Sequence, residues 1–342
     1  MKLLRKMCEA FGGSGYEYEI ADIVEEELKP LCGSVERDPL GNVIGIKKAK
    51  GKRAGRQTIM IAAHMDEIGF LVSHIDSRGF LRLVPAGGFD PRTMVSQRVM
   101  VLGKGEKKLK GLLCVSGKPI HIQTAEERKK ELRVSDFYVD LGLTGDEVKE
   151  RVDIGDRVIW DRSFTRIGHC VNCKALDDRV GVYVMIEALR RVRKHRHDIY
   201  AVGTVQEEVG LRGAFTSSYV IDPDVGIALD VTLAVDVPES DEASYVTRLG
   251  EGVAIKIMDS ASISDTRLVR EFRDLAEKHG IAHQLEIMPR GGTDTGPMQR
   301  AKGGARTVGL SIPLRYVHSV NETAHTKDIE AAIELLAAYL SQ

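Results

Sequence analysis

The chain has 342 residues, more than one typical domain, and its 43% hydrophobic and 5% aromatic content is ordinary for a soluble globular enzyme with a large core. Forty-nine basic residues against 50 acidic ones leave a formal charge of −1, so composition offers no electrostatic basis for binding nucleic acid or an anionic membrane. Met1-Lys2-Leu3-Leu4-Arg5 is charged again before any signal-like apolar core develops. No stretch approaches the roughly 18–20 apolar residues of a spanning helix. Five cysteines, an odd number, do not make a secreted disulfide framework, and a cytoplasmic address is expected.

Leu3, Leu4, Met7 and Phe11 share one face of a short first helix, which Gly12-Gly13-Ser14-Gly15 stops. A second helix follows, with Ile20, Ile23, Val24, Leu28 and Leu31 at helical spacing and Glu25, Glu26 and Glu27 on its wet side. Asp38-Pro39-Leu40-Gly41-Asn42 reads as the turn of a hairpin between Ser34–Arg37 and Val43–Ile46. The run Thr58 to Ala63 is apolar on both faces, the pattern of a strand covered on both sides, and it delivers His64 at its carboxyl end. Ligands of open α/β sheets bind at that end.

From about Gly69 to Asp161 the pattern changes to short strand-like runs broken by glycines, which predicts a small all-β module inserted in an α/β chain. Within it Lys104 to Gly111 reads as an exposed hairpin tip, and Thr144 with Glu147 as the capping box of a short helix. Beyond it, helix and strand alternate. A helix is expected over Val180 to Val192, its cationic end offsetting the helix dipole, followed by strand Ile199 to Val205, a helix near Ala214 to Tyr219 and strand Val225 to Leu229. Strand Gly252 to Met258, helix Asp265 to His279, strand Ile281 to Ile287 and a strand through Val308-Gly309-Leu310 continue the rhythm. Thr326 is expected to cap a last helix with Ile329, Ile333, Leu336 and Leu340 facing inward.

Several of these runs end in side chains suited to divalent metals: His64, Asp177, Glu208, Asp230 and His318. Two cations roughly 3.5–4 Å apart need one bridging carboxylate, further nitrogen or oxygen ligands on each, and open positions for water and substrate. That inventory is present. Burying such groups without partners would cost several kcal/mol, yet each taken alone is equally an ordinary hydrogen-bonded residue, so spacing leaves both readings open. Cys170-Val171-Asn172-Cys173 is a lone Cys-x-x-Cys and reads as structural thiols.

Ala63-His64-Met65-Asp66-Glu67-Ile68-Gly69, Lys174 to Gly181, Gln206-Glu207-Glu208-Val209-Gly210-Leu211-Arg212-Gly213-Ala214, Gly291-Gly292-Thr293-Asp294 and Arg315-Tyr316-Val317-His318-Ser319 resemble, in order, the motifs of the TET-type cocatalytic metalloaminopeptidases. That family includes glutamyl and deblocking aminopeptidases, and some members are labelled endoglucanases. The resemblance covers nearly the whole chain. It implies a phosphorylase/hydrolase-like α/β catalytic domain (1–70 and 163–342) interrupted by a PDZ-like β domain (71–162) used in dimerisation, with dimers assembling into tetrahedral dodecamers. By the same resemblance Asp177 bridges two metal ions, His64 and Asp230 complete one site, and Glu208 and His318 the other. Glu207 is then the general base acting on peptide substrates, and Asp66 holds the tautomer of His64. A cis peptide after Asp177 is implied as well. Zinc, cobalt and manganese all suit such ligands. Thr293 and Asp294 are candidates for shaping the substrate pocket, although a glycine-rich turn also serves a purely structural role.

Three rivals share parts of this pattern. A glycosidase needs two carboxyls flanking the scissile bond about 5–9.5 Å apart, and the carboxylates here are better used as ligands. A deacylase or carboxypeptidase shares the two-metal chemistry and differs in which end of the substrate is anchored. A scaffold that kept the fold without activity would not need Glu207. Glu207 and Glu208 point apart on a regular strand, so the strand must bend or end before them if both are to reach one cluster.

Overall fold

The computed structural model describes residues 1–50 and 55–342. Helices α1 (Lys2–Glu9) and α2 (Tyr18–Leu28) precede the hairpin of β1 (Ser34–Arg37) and β2 (Val43–Lys47), and then strand β3 (Thr58–His64). Next come β4 (Gly69–Ile75), β5 (Leu81–Ala86), β6 (Gln97–Gly103), β7 (Lys107–Val115), β8 (Phe137–Asp140), α3 (Gly145–Arg151) and β9 (Arg157–Trp160). The chain continues through β10 (Thr165–Ile167), β11 (Cys170–Cys173), α4 (Leu176–Arg191), β12 (Asp198–Thr204), α5 (Arg212–Ile221) and β13 (Val225–Leu233). It ends with β14 (Val253–Met258), α6 (Thr266–His279), β15 (His283–Ile287), α7 (Thr295–Gln299), β16 (Arg306–Arg315), β17 (Glu322–His325) and α8 (Thr326–Leu340).

Among the described residues, one mixed sheet runs in the order β1, β2, β12, β3, β13, β16, β17, β11, β10, with β14 and β15 branching from β16 to make eleven strands. Strands β12, β3, β13 and β16 are mutually parallel, so their carboxyl ends meet along one edge. The sheet is covered on both faces. Ile59, Ile61 and Ala63 of β3 join one apolar cluster with Leu4, Val184 and Leu336, while Met60 and Ala62 join another with Val202, Ala228 and Met298. Alternate residues of one strand thus enter two cores, which explains its continuous apolar sequence.

Strands β4, β5, β8, β7, β6 and β9 close into a six-stranded barrel around Phe70, Val99, Val101, Leu113, Val139 and Trp160. Phe70 stacks on Phe89 at 4.3 Å between centroids and meets Trp160 edge-on at 5.6 Å. Thr144 and Glu147 form both halves of the expected capping box. The molecule is therefore mixed α/β with an all-β barrel. No helix among the described residues is long and apolar enough to cross a membrane.

Local expectations need correction in three places. The exposed tip is only Lys104–Glu106; Lys107 to Gly111 belongs to β7, where exposed Lys108 and Lys110 alternate with half-buried Leu109 and buried Gly111. A strand with one wet face reads as a charged loop when its outward residues are all lysines. Thr326 does not cap α8: it is the first helical residue, and the ring Nδ1 of His325 accepts from the Lys327 amide at 3.2 Å. The strand expected over Val225 to Leu229 runs on to Leu233, whereas the helix expected from Val180 has its regular part there, α4 opening at Leu176 with non-helical dihedrals at Asp177 and Asp178. Cys170 and Cys173 lie three positions apart on β11 and face opposite sides, and all five cysteines are free thiols.

Candidate metal centre

The carboxyl edge of the parallel strands gathers the polar residues. His64 is the last residue of β3, directly beside Thr204 at the end of β12. Asp230 lies in β13 opposite Ser311 of β16, and the chain beyond β16 turns to bring in His318. Asp177 enters from the irregular start of α4, and its peptide bond to Asp178 is cis. β12 ends before the two adjacent glutamates, and Gln206 takes a left-handed φ of 56°. That turn breaks the alternation of the strand and lets Glu207 and Glu208 both face the cluster.

Asp177 stands at its centre. Its Oδ1 is 3.1 Å from His64 Nε2, and its Oδ2 is 3.3 Å from His318 Nε2. Glu208 Oε2 is 3.3 Å from the same His318 nitrogen, while Asp230 Oδ1 and Glu207 Oε2 each lie 4.0 Å from His64 Nε2. Two triads result, His64–Asp177–Asp230 and Asp177–Glu208–His318, each with donor atoms within 4.8 Å of one another. They share Asp177, one oxygen turned to each. The second nitrogen of His64 lies 3.1 Å from the carbonyl of Asp66 and 3.5 Å from its carboxylate. The Asp66 carboxylate is instead engaged by Ser14 Oγ at 2.6 Å and by the amides of Glu207 and Glu208 at 3.0 and 3.3 Å. Asp66 therefore faces both His64 and the backbone that carries Glu207.

So much buried negative charge distorts every titration in the cluster. Burial, with the nearby charge of Asp177, lifts Asp230 to about 8. Burial likewise raises Glu207 well above the carboxylate range, helped by Asp230 and Glu208. For His318, burial works against the charged form, but Glu208 and Asp177 outweigh it and bring the imidazole up to about 12. Without cations the cluster holds protons that exposed groups would have lost. Among the described residues, the buried Glu208 Oε1 has no hydrogen-bond partner. Oxygen and imidazole donors with a spare buried oxygen and excess negative charge fit two divalent cations sharing Asp177.

A cavity of about 360 Å³ opens on the cluster, walled by Val231, Leu233, Met288 and Val317 with Thr232, Arg290 and the Gly291-Gly292-Thr293 turn. Thr293 borders it, but its hydroxyl is committed to Asp259 at 3.0 Å and to Thr295 at 2.6 Å. Asp294 sits beneath the site, not on the cavity wall, where Thr204 donates to it at 2.6 Å. Burial raises its carboxyl to about 6.

The sequence assigns no role at the site to three further residues. Glu322 is 2% exposed and accepts from the amides of Asp177 and His318; Asp178 accepts from the amides of His64 and Gly181; Ser14 donates to Asp66. The doubled acid Asp177-Asp178 is a usable signal for Asp178. Glu322 and Ser14 offer none, since each sits in a polar stretch indistinguishable from surface.

The relationships of the chain agree with this geometry. A family model described as M42 glutamyl aminopeptidase matches residues 41–335. The lysyl aminopeptidase of Pyrococcus furiosus is 40% identical over 100% of this chain and 96% of its own length. The crystal structure of a TET aminopeptidase from the marine sediment archaeon Thaumarchaeota archaeon SCGC AB-539-E09 superposes with a TM-score of 0.95 at 36% identity, covering 100% of this chain and 96% of that one. The Pyrococcus horikoshii TET1 peptidase, described as able to assemble into a tetrahedron or a large octahedral shell, gives 0.87 at 30% identity, covering 99% and 98%. With a family match over most of its length, the chain belongs to the M42 glutamyl aminopeptidase family of metal-dependent peptide-bond hydrolases.

Proposed function

We propose that this chain removes amino-terminal residues from peptides at a dinuclear centre, with Asp177 bridging, His64 and Asp230 completing one site, and Glu208 and His318 the other. The observation that carries the reading is the sharing of Asp177 by two triads, one oxygen directed at each histidine. When bound, divalent cations such as zinc, cobalt or manganese would polarise the scissile carbonyl and lower the pKa of water towards neutrality. Glu207, with its carboxylate beside His64 and largely enclosed, acts as the general base. It takes the proton of the attacking water and returns it to the leaving amine, and burial raises its basicity for that task. Asp66 keeps Glu207 in place through the two amides it accepts and sets the orientation of His64. The apolar walls from Val231, Leu233, Met288 and Val317 receive the first side chain, Thr293 shapes the rim, and Asp294 supports the site from behind the wall through Thr204.

We take residues 1–70 and 163–342 as the phosphorylase/hydrolase-like catalytic unit and 71–162 as an inserted PDZ-like unit that joins copies of the chain. The closed barrel supports that division, with the first boundary moved to Gly69, where β4 begins. Assembly into a dimer and on to a tetrahedral dodecamer is supported by the shells described for the Pyrococcus horikoshii relative. Free thiols throughout suit a cytoplasmic setting. The test is hydrolysis of free and N-acetylated amino-acid chromogenic amides by protein stripped with chelator and reloaded with zinc or cobalt. Metal-restored turnover confined to free amines is expected. Turnover confined to acetylated substrates would favour a deacylase of the same fold, and turnover indifferent to the chelator would refute the metal centre.

A further inference from the structure

Several buried carboxylates outside the ligand set each accept a pair of backbone amides, Asp178 among them with those of His64 and Gly181. Asp66 takes those of Glu207 and Glu208. Glu322, at the opposite side of the cluster, takes the Asp177 amide on Oε2 at 3.0 Å and the His318 amide on Oε1 at 2.9 Å.

Neither of the amides held by Glu322 belongs to a regular helix or ladder. Asp177 precedes the helical part of α4, with φ −76° and ψ 109°. His318 lies between β16 and β17 at a left-handed φ of 59°, a conformation that non-glycine residues adopt only under local constraint. A side-chain acceptor is what fixes such amides when secondary structure does not. Glu322 itself is anchored from behind, because it opens β17 in register with Cys173 of β11 and is 2% exposed. Its nearest charged neighbours include Asp177 and Glu208, so burying a third carboxylate there is unfavourable unless its hydrogen bonds are fully used. Both of its oxygens are used and, among the described residues, on those two backbones alone.

We propose that Glu322 is a positioning residue that sets the separation of Asp177 and His318, and with it the width of the cation site those two form with Glu208. It makes no contact with a cation in this arrangement; it acts through the two ligands. The inference rests on the dinuclear reading above.

The test is metal titration of Glu322→Gln with Zn(II) and Co(II), followed by calorimetry and by the visible absorption of bound cobalt. A glutamine can accept from one amide but presents its NH₂ to the other, donor against donor. The site of Asp177, Glu208 and His318 should lose roughly 10–100-fold in affinity, the range seen when outer-shell partners of metal ligands are removed. The site of His64, Asp177 and Asp230 should change by much less. Asp328→Asn is the control: Asp328 also accepts two amides, those of Gly250 and Gly252 at 2.7 and 2.8 Å, away from the centre. It should lower thermal stability and leave both affinities unchanged. If Glu322→Gln behaves like the control, or weakens both sites equally, the positioning role is wrong. Should Glu322→Gln not fold, amide hydrogen exchange of the metal-free native protein decides: slow exchange at Asp177 and His318 is expected, and fast exchange overturns the proposal. Native protein that takes up fewer than two ions would instead overturn the dinuclear reading itself.

Discussion

The barrel and the carboxyl edge of the main sheet are built on opposite principles. In the barrel Phe70, Phe89 and Trp160 pack ring against ring over Val99, Val101 and Val139, and charges such as Lys108 and Lys110 stay in water. Along the sheet edge Asp66, Asp177, Asp178, Asp230 and Glu322 are buried within one cluster, and Gln206 and His318 adopt left-handed backbones. Apolar burial stabilises the first region outright. The second opposes folding until cations arrive, which is the mark of a site kept for chemistry.

The largest effect is expected from Glu207→Gln. If Glu207 is the general base proposed above, this change should lower kcat by roughly 10²–10⁴-fold while metal content and thermal stability stay close to native. A variant that keeps near-native turnover would remove Glu207 from the mechanism. In the barrel, Trp160→Ala should do the reverse. Truncating this 1% exposed ring is expected to cost about 3–5 kcal/mol in denaturant unfolding and leave kcat per folded molecule within about twofold of native.

A pH series on metal-free protein sharpens the same contrast. Asp230 is raised by burial from 3.8 to about 8, and His318 from 6.5 to about 12 by Glu208 and Asp177 against the effect of burial. For both groups the folded state holds the proton more tightly than the unfolded one, so their contribution is fully present below the unfolded pKa. It is lost as pH rises through the folded value. Stability of the metal-free protein should therefore fall between pH 6 and 9, by up to about 1.4 kcal/mol per pH unit for each proton retained. Metal binding must expel those protons, so affinity should rise over the same interval. Flat stability and pH-independent affinity would show that the cluster is not charged as described. The smallest effect is expected at the barrel surface: Lys108→Ala breaks an exposed ion pair with Glu19 and should shift stability by less than about 1 kcal/mol.

These two regions are also unequally legible in the sequence. His64 ends β3 and the Glu207-Glu208 pair follows β12, and a strand that delivers a charge at its carboxyl end announces a site by its pattern alone, while Asp230 breaks an apolar run three residues before β13 ends. The turn at Gln206 follows too, because two adjacent acids cannot otherwise face one cluster. Glu322 is hidden because Asn321-Glu322-Thr323 reads as surface, and only pairing of β17 with β11 carries it beneath Asp177. Asp294 is visible in a glycine-rich turn, but its place under the site depends on Thr204, ninety positions away. Contacts between strands distant in sequence leave no local pattern to read.

The sharing of Asp177 between two cations can be read from metal content. Elemental analysis of reloaded native protein, together with anomalous scattering from crystals grown with zinc, should find two ions per chain on either side of Asp177, and Asp177→Asn should deplete both. A single ion, or two ions that survive the loss of Asp177, would contradict it.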